Sequence, residues 1–107
     1  MKWIKLIDMP DSFYLFRGAL LKFNTEYPFE KKVIMMVCED VGNPFRLGLI
    51  TITGTQAGLN MYTLLPMEAS QNGLSSGWLI HNWNEWIYPN SDINEVMIHE
   101  GLSAHDL

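Results

Sequence analysis

The sequence predicts a single α+β domain, in which an antiparallel sheet of about five to six strands carries one helix from the C-terminal half of the chain. Three observations lead to this prediction. The chain has 107 residues, the length of one domain. Short runs rich in β-branched residues alternate with turn residues through its first two thirds. One segment near residue 80 repeats its apolar residues at helical spacing.

The predicted strands are runs of β-branched or alternating apolar residues with turn residues on either side. They cover 2–7, 13–16 with 18–23, 32–39, 45–53, 59–65 and 93–100. The run 32–39 is apolar on both faces, which is typical of a central strand. Glycines begin and end the loop 54–58, which indicates a hairpin. We therefore expect the strands 32–39, 45–53 and 59–65 to form an antiparallel meander.

A helix is predicted over 78–88 and ends before Pro89, whose ring cannot continue it. At about 100° per residue, one stripe of this helix should face the core. That stripe contains Leu79, Ile80, Trp83, Trp86 and Ile87. Trp78 lies off the stripe and beside Glu85. An exposed tryptophan next to an acid is a candidate contact for a protein partner, and the alternative is that Trp78 covers a sheet edge or a loop.

Residues 73–77, Gly-Leu-Ser-Ser-Gly, match the G-x-S-x-G pattern of serine hydrolases. That fold requires a parallel sheet with several crossover helices, whereas this chain has one predicted helix. We interpret Ser75 or Ser76 as the cap of the helix, accepting hydrogen bonds from its first N–H groups. No catalytic residue is assigned, and the prediction is that the protein is not an enzyme. A small serine hydrolase using Ser75 with a histidine is the alternative function.

Charge is distributed unevenly along the chain. All seven Lys and Arg residues lie at or before Arg46, and six acidic residues without a single cation follow it. Such a half repels phosphate, which argues against a nucleic-acid partner. It attracts a basic protein and speeds encounter with it. Solubility alone is the alternative explanation of the charge.

No cofactor or metal site is predicted. The single cysteine, Cys38, excludes an internal disulfide, and its apolar surroundings predict a buried thiol. His81 and Glu85 are one helical turn apart but lack a third ligand, so we expect an intrahelical polar pair. Neither a signal peptide nor an apolar run of roughly 18 residues is present. These features predict a cytoplasmic protein without a membrane partner, with one domain over residues 1–100 and a polar tail over 101–107.

Four segments of the chain resemble a family of small bacterial immunity proteins, immunity family forty-five. They are 7–23, 27–29, 58–59 and 78–89, the last with the pattern W-L-I-x-N-W-x-x-W-I-Y-P. The family belongs to polymorphic-toxin and contact-dependent growth inhibition systems. The resemblance implies a cytoplasmic antitoxin without catalytic residues or cofactors. It would bind a cognate secreted toxin domain, often a nuclease, and block the active site or substrate groove of that domain.

The acidic half of the chain is consistent with this implied role. A nuclease needs a basic groove for phosphate, and a cation-free acidic surface can occupy that groove in place of the nucleic acid. Exposed charges contribute little individually, so affinity should come from a few apolar or aromatic anchors. The candidate toxin contacts are Trp78, Glu85, Asp92, Glu95 and Glu100. A generic structural or interaction domain is the second alternative.

Overall fold

The fold comes from a computed structural model, which describes residues 2–40 and 42–101. Its strands are β1 (Ile4–Lys5), β2 (Tyr14–Leu15), β3 (Leu20–Asn24), β4 (Lys32–Asp40), β5 (Asn43–Thr51), β6 (Met61–Leu64), β7 (Leu74–Ser75) and β8 (Met97–His99). The helices are α1 (Met67–Ser70) and α2 (Ser76–Asn82), and α2 continues directly into a π-helical segment (Trp83–Ile87). Short 3₁₀ turns lie at Leu6–Asp8, Gly54–Gln56 and Ile93–Glu95.

Six strands form one antiparallel sheet in the order β1-β8-β3-β4-β5-β6. The α+β prediction and the predicted β4-β5-β6 meander are both confirmed. β3 lies between β4 and β8, so that Leu21 is opposite Met35 on one side and Ile98 on the other. At the edge, Ile4 of β1 pairs with the same Ile98. β2 and β7 form a separate two-stranded sheet.

Several elements differ from the predicted boundaries. The predicted strand 93–100 pairs only over Met97–His99, because Asp92 Oδ1 accepts a hydrogen bond of 2.9 Å from the Asn94 N–H and holds the preceding residues in a 3₁₀ turn. The predicted strand 2–7 likewise reduces to β1, followed by a 3₁₀ turn. Helix α1 was not predicted; it contains four residues, too few to show a helical repeat.

The core lies between α2 with its π-helical extension and one face of the large sheet. Leu79, Trp83 and Ile87 are buried on the helical side, which confirms the core stripe, while Ile80 and Trp86 remain half-buried. Across the core, the Phe23 ring packs edge-on against the Trp83 ring, with centroids 4.9 Å apart. This contact anchors the helix on β3.

The two faces of β4 are not equally covered. Val33, Met35 and Val37 point toward the helix and are buried, whereas Ile34, Met36 and Cys38 between and after them remain half-buried. Cys38 is one of these alternate residues. The prediction of a buried thiol is therefore wrong, because Cys38 lies on the sheet face opposite the helix.

Among residues 2–40 and 42–101, no helix combines the length and apolar composition that crossing a membrane requires. Of the predicted tail 101–107, the structure describes Gly101 alone, and 102–107 lie outside the described residues. The Gly101 N–H donates a hydrogen bond of 2.8 Å to Nδ1 of His99.

Candidate protein-binding cleft

Helix α2 begins at a serine that serves as its cap. Ser75 Oγ accepts a hydrogen bond of 3.2 Å from the Trp78 N–H and donates one of 3.1 Å to the Asp11 carbonyl. Ser76 Oγ donates to the Pro10 carbonyl at 2.6 Å. The cap prediction is confirmed for Ser75. Because its proton is engaged by a carbonyl oxygen, this hydroxyl has the geometry of a cap and not that of a nucleophile activated by histidine.

Beyond Asn82 the helix widens from α to π. Asn82 has φ −118° and ψ 10°, and the Tyr88 N–H donates to the Trp83 carbonyl five residues earlier at 3.0 Å. Side chains from elsewhere hold the end of this segment, since the Tyr62 hydroxyl donates to the Ile87 carbonyl. The Tyr88 hydroxyl accepts a hydrogen bond of 2.8 Å from a main-chain N–H of the loop after β3. Single π-helical turns inside α-helices occur frequently at functional sites.

The widened turn changes which side chains meet. Trp78 and Trp86 come together with ring centroids 6.2 Å apart, and Trp78 is half-buried against the core. Trp78 therefore lies partly beneath the surface instead of standing free on the outer side of the helix. The polar pair predicted between His81 and Glu85 is absent from the interactions of the described residues, because the change from α to π geometry falls between them.

The π-helical segment and the loop after it enclose a cleft with a volume of about 410 Å³. We call it the acidic cleft, and its walls are Ile80, His81, Trp83, Asn84, Glu85, Pro89, Ser91, Asp92 and Ile93. Glu85 and Asp92 are both exposed at this cleft. No Lys or Arg occurs among the described residues that line it. The structure thus brings two of the five predicted contact residues together.

Two residues that line the cleft each contain a buried polar atom with no hydrogen-bond partner among the described residues. These atoms are Nε1 of Trp83 and Oγ of Ser91, in side chains that are 1% and 7% exposed. Buried polar groups in native proteins are almost always satisfied, by protein, by water or by a bound partner. Both residues were missed as site candidates, since only the folded structure shows that their polar atoms lack partners.

The other predicted contact residues lie outside the acidic cleft. Glu95 is exposed and accepts a hydrogen bond of 2.7 Å from Asn24 Nδ2. Glu100 is exposed just after β8. Trp78 is half-buried beside Trp86. These three residues and the cleft therefore do not form a single compact site.

A second, larger groove of about 1060 Å³ lies near the start of β3 and helix α1. Phe16 and Met67 line it and are 63% and 49% exposed. Arg17 and Glu39 form an ion pair of 3.7 Å at the same groove. Cys38 also lines it, and burial, followed by the negative charge of nearby Asp40, raises the pKa of its thiol. This groove was not predicted from the sequence, because its exposed apolar residues come from separate short segments.

Metal ligation has no candidate within residues 2–40 and 42–101, where no three His, Cys, Asp or Glu side chains lie close enough to hold an ion.

The sequence of the chain matches one protein family. A family model described as Immunity protein 45 matches residues 7–98. Neither a curated protein nor a solved structure matches the chain. The match extends from the 3₁₀ turn after β1 into β8 and includes every residue that lines the acidic cleft, and it confirms the resemblance seen in the sequence. The chain belongs to the Immunity protein 45 family.

Proposed function

We propose that this protein is an antitoxin that binds and neutralises a cognate secreted toxin domain. Membership of the Immunity protein 45 family carries the proposal, since an immunity protein implies a toxin as partner and suggests a non-catalytic role. The proposed toxin domain is a basic nuclease of a polymorphic-toxin or contact-dependent inhibition system. The antitoxin covers its active site or substrate groove in the cytoplasm, where a nuclease meets its substrate.

The charge of the protein supports a basic partner. Glu85, Asp92, Glu95 and Glu100 are all exposed, and no Lys or Arg follows Arg46 in the sequence. A nuclease binds phosphate through Lys and Arg, so its substrate groove is complementary in charge to this surface. Complementary charge raises the association rate, and a small number of well-packed contacts then supply affinity. Trp78 and these four acids are the proposed toxin contacts.

The first test uses the product of the gene immediately upstream. Its C-terminal domain, in a catalytically inactivated form, is titrated with the immunity protein by isothermal calorimetry. We expect a tight complex and, with the active domain, loss of its nuclease activity. An upstream gene that encodes no toxin, or a toxin domain that does not bind, contradicts the proposal.

The salt dependence of that complex tests the electrostatic part separately. Charges at an exposed interface are screened as the Debye length falls from about 10 Å at 0.1 M salt to about 3 Å at 1 M. We therefore expect the association rate to fall steeply over this range. A rate that stays constant shows that the acidic surface does not contact a basic groove, even if the complex itself forms.

A further inference from the structure

We infer that the acidic cleft is a binding pocket for an arginine side chain of the toxin domain. The inference rests on the proposed function, because the toxin supplies that arginine. It goes further by assigning one pocket and the chemistry of the group that enters it. Its volume of about 410 Å³ falls within the range of about 300–1,000 Å³ typical of small-ligand sites.

The carboxylates of the cleft select a cation. Glu85 is exposed and forms no hydrogen bond or ion pair with a described residue. Asp92 uses Oδ1 to accept hydrogen bonds from Asn94, at 2.9 Å from the N–H and 3.0 Å from Nδ2. Its Oδ2 therefore remains available to an incoming donor. Since neither Lys nor Arg is among the described residues that line the cleft, both carboxylates can accept charge-assisted hydrogen bonds from a partner.

Two residues that line the cleft, Trp83 and Ser91, each carry a buried polar atom without a hydrogen-bond partner among the described residues. The Trp83 indole Nε1 can only donate a hydrogen bond, whereas the Ser91 hydroxyl can donate or accept. Such groups favour a partner that brings polar atoms as well as a charge. A residue within a polypeptide provides both, because its side chain is cationic and its main-chain carbonyl accepts.

Arginine matches this cleft better than lysine. Its guanidinium is planar and presents five N–H donors, which is enough to pair with two carboxylates. Ile80, Pro89 and Ile93 provide apolar wall surface for its methylene stem. Lysine offers three donors on a compact head and has no flat face to lie along such a wall.

The cleft is preformed in the free protein. Tyr62 holds the end of the π-helical segment through the Ile87 carbonyl, and the Tyr88 hydroxyl is bonded to the Glu26 N–H. Trp83, which forms the base of one wall, is packed against Phe23 in the core. A wall fixed in this way loses little conformational entropy when a side chain enters.

The first experiment needs no toxin. N-acetyl-L-arginine methylamide is titrated into ¹⁵N-labelled protein, and the indole N–H resonances of the four tryptophans are followed by NMR. We expect the Trp83 indole resonance to move further than the other three. The citrulline derivative has the same shape without the charge, and it should leave the Trp83 resonance in place. Equal responses to the two probes, or no movement of the Trp83 resonance with either, overturn the inference.

Matched charge variants test whether the carboxylates are responsible. Glu85→Gln and Asp92→Asn each remove one charge from the cleft, whereas Glu68→Gln removes one from exposed α1 outside it. The double variant Glu85→Gln/Asp92→Asn should lose the arginine response, and Glu68→Gln should keep it. An arginine response that survives in the double variant contradicts the assignment.

The toxin domain then separates this inference from the proposed function. Loss of a hydrogen bond to a charged group should weaken the complex about tenfold for each cleft variant. The Glu68→Gln variant should bind within about twofold of the wild type, as expected for an isolated exposed charge. A tight complex that is equally insensitive to all three variants overturns the arginine pocket and leaves the antitoxin proposal intact. A toxin domain that binds none of the proteins, including the wild type, instead contradicts the antitoxin proposal.

Discussion

Replacing the helix cap by Ser75→Ala removes two hydrogen bonds at the start of α2. The bond from the Trp78 N–H is the cap itself, and losing such a cap costs about 0.5–2 kcal/mol. The bond to the Asp11 carbonyl is exposed, so that water replaces the hydroxyl at little cost. The expected loss in the free energy of unfolding is therefore about 0.5–2 kcal/mol. With an entropy of unfolding of about 2.1 cal/mol/K per residue, this loss lowers Tm by about 2–9 °C.

Thermal unfolding followed by far-UV circular dichroism measures this change, with Ser75→Thr as the matched control. Threonine keeps the hydroxyl and should retain most of the stability. A Ser75→Ala protein that melts with the wild type, or a Ser75→Thr protein as unstable as Ser75→Ala, refutes the cap argument. In the same preparations a fluorophosphonate probe should leave Ser75 unlabelled. Labelling there would support the hydrolase alternative.

Three further predictions concern the sheet and the end of the helix. Gly48→Ala would place a Cβ 2.8 Å from a main-chain carbonyl oxygen of β6, so the free energy of unfolding, measured with urea, should fall by about 1–3 kcal/mol. The matched control is Gly42→Ala, whose Cβ meets nothing nearer than 3.9 Å and should leave the free energy of unfolding nearly unchanged. Burial, and secondarily Tyr88, raises the pKa of Tyr62 above 10.0, so the folded state keeps a proton that the unfolded state releases. The free energy of unfolding should therefore fall as pH rises through about 10. This fall with pH should be shallower in Tyr62→Phe than in the wild type, and equal slopes in the two proteins would contradict the prediction. Partial burial, and secondarily Asp40, raises the pKa of the half-buried Cys38 thiol above 9.0. Iodoacetamide should therefore alkylate the folded protein more slowly than the urea-unfolded chain at pH 8, and equal rates would contradict the shift.

Local patterns predicted the middle of the sheet well. Residues 32–65 contain β-branched strands and a loop with glycine at both ends, and neighbouring strands of this kind pair with each other. The pairing of β1 with β8 could not be predicted from local patterns, because these strands lie at opposite ends of the described chain. The change from α to π geometry at Trp83 likewise could not be predicted from the sequence. Hydrogen bonds from residues distant in the chain, such as that from Tyr62, hold the π-helical segment in place. Of the two alternatives for Trp78, its partial burial is closer to a residue that covers neighbouring structure.

The candidate site was predictable in its charge but not in its shape. Glu85 and Asp92 stood out because no cation follows Arg46, and the structure places both at one cleft. Trp83 was correctly predicted as a core residue, yet it also lines the cleft, and its indole nitrogen has no partner among the described residues. A sequence pattern predicts whether an apolar residue is buried. It does not predict whether a polar atom of that residue has a hydrogen-bond partner in the folded protein.

Because of its position in the sheet, the three-residue strand β8 is needed to complete the hydrogen bonding of two other strands. Because β8 bridges β1 and β3, a chain cut before Met97 loses the pairing of both neighbours at once. β3 would then present a free row of N–H and C=O groups, which invites pairing with other chains. During synthesis, the six-stranded sheet of the described residues is complete only after β8 has emerged, since its other five strands precede β8. A chain that is cut or incomplete before β8 should therefore aggregate, and it should not retain partial binding of the toxin domain.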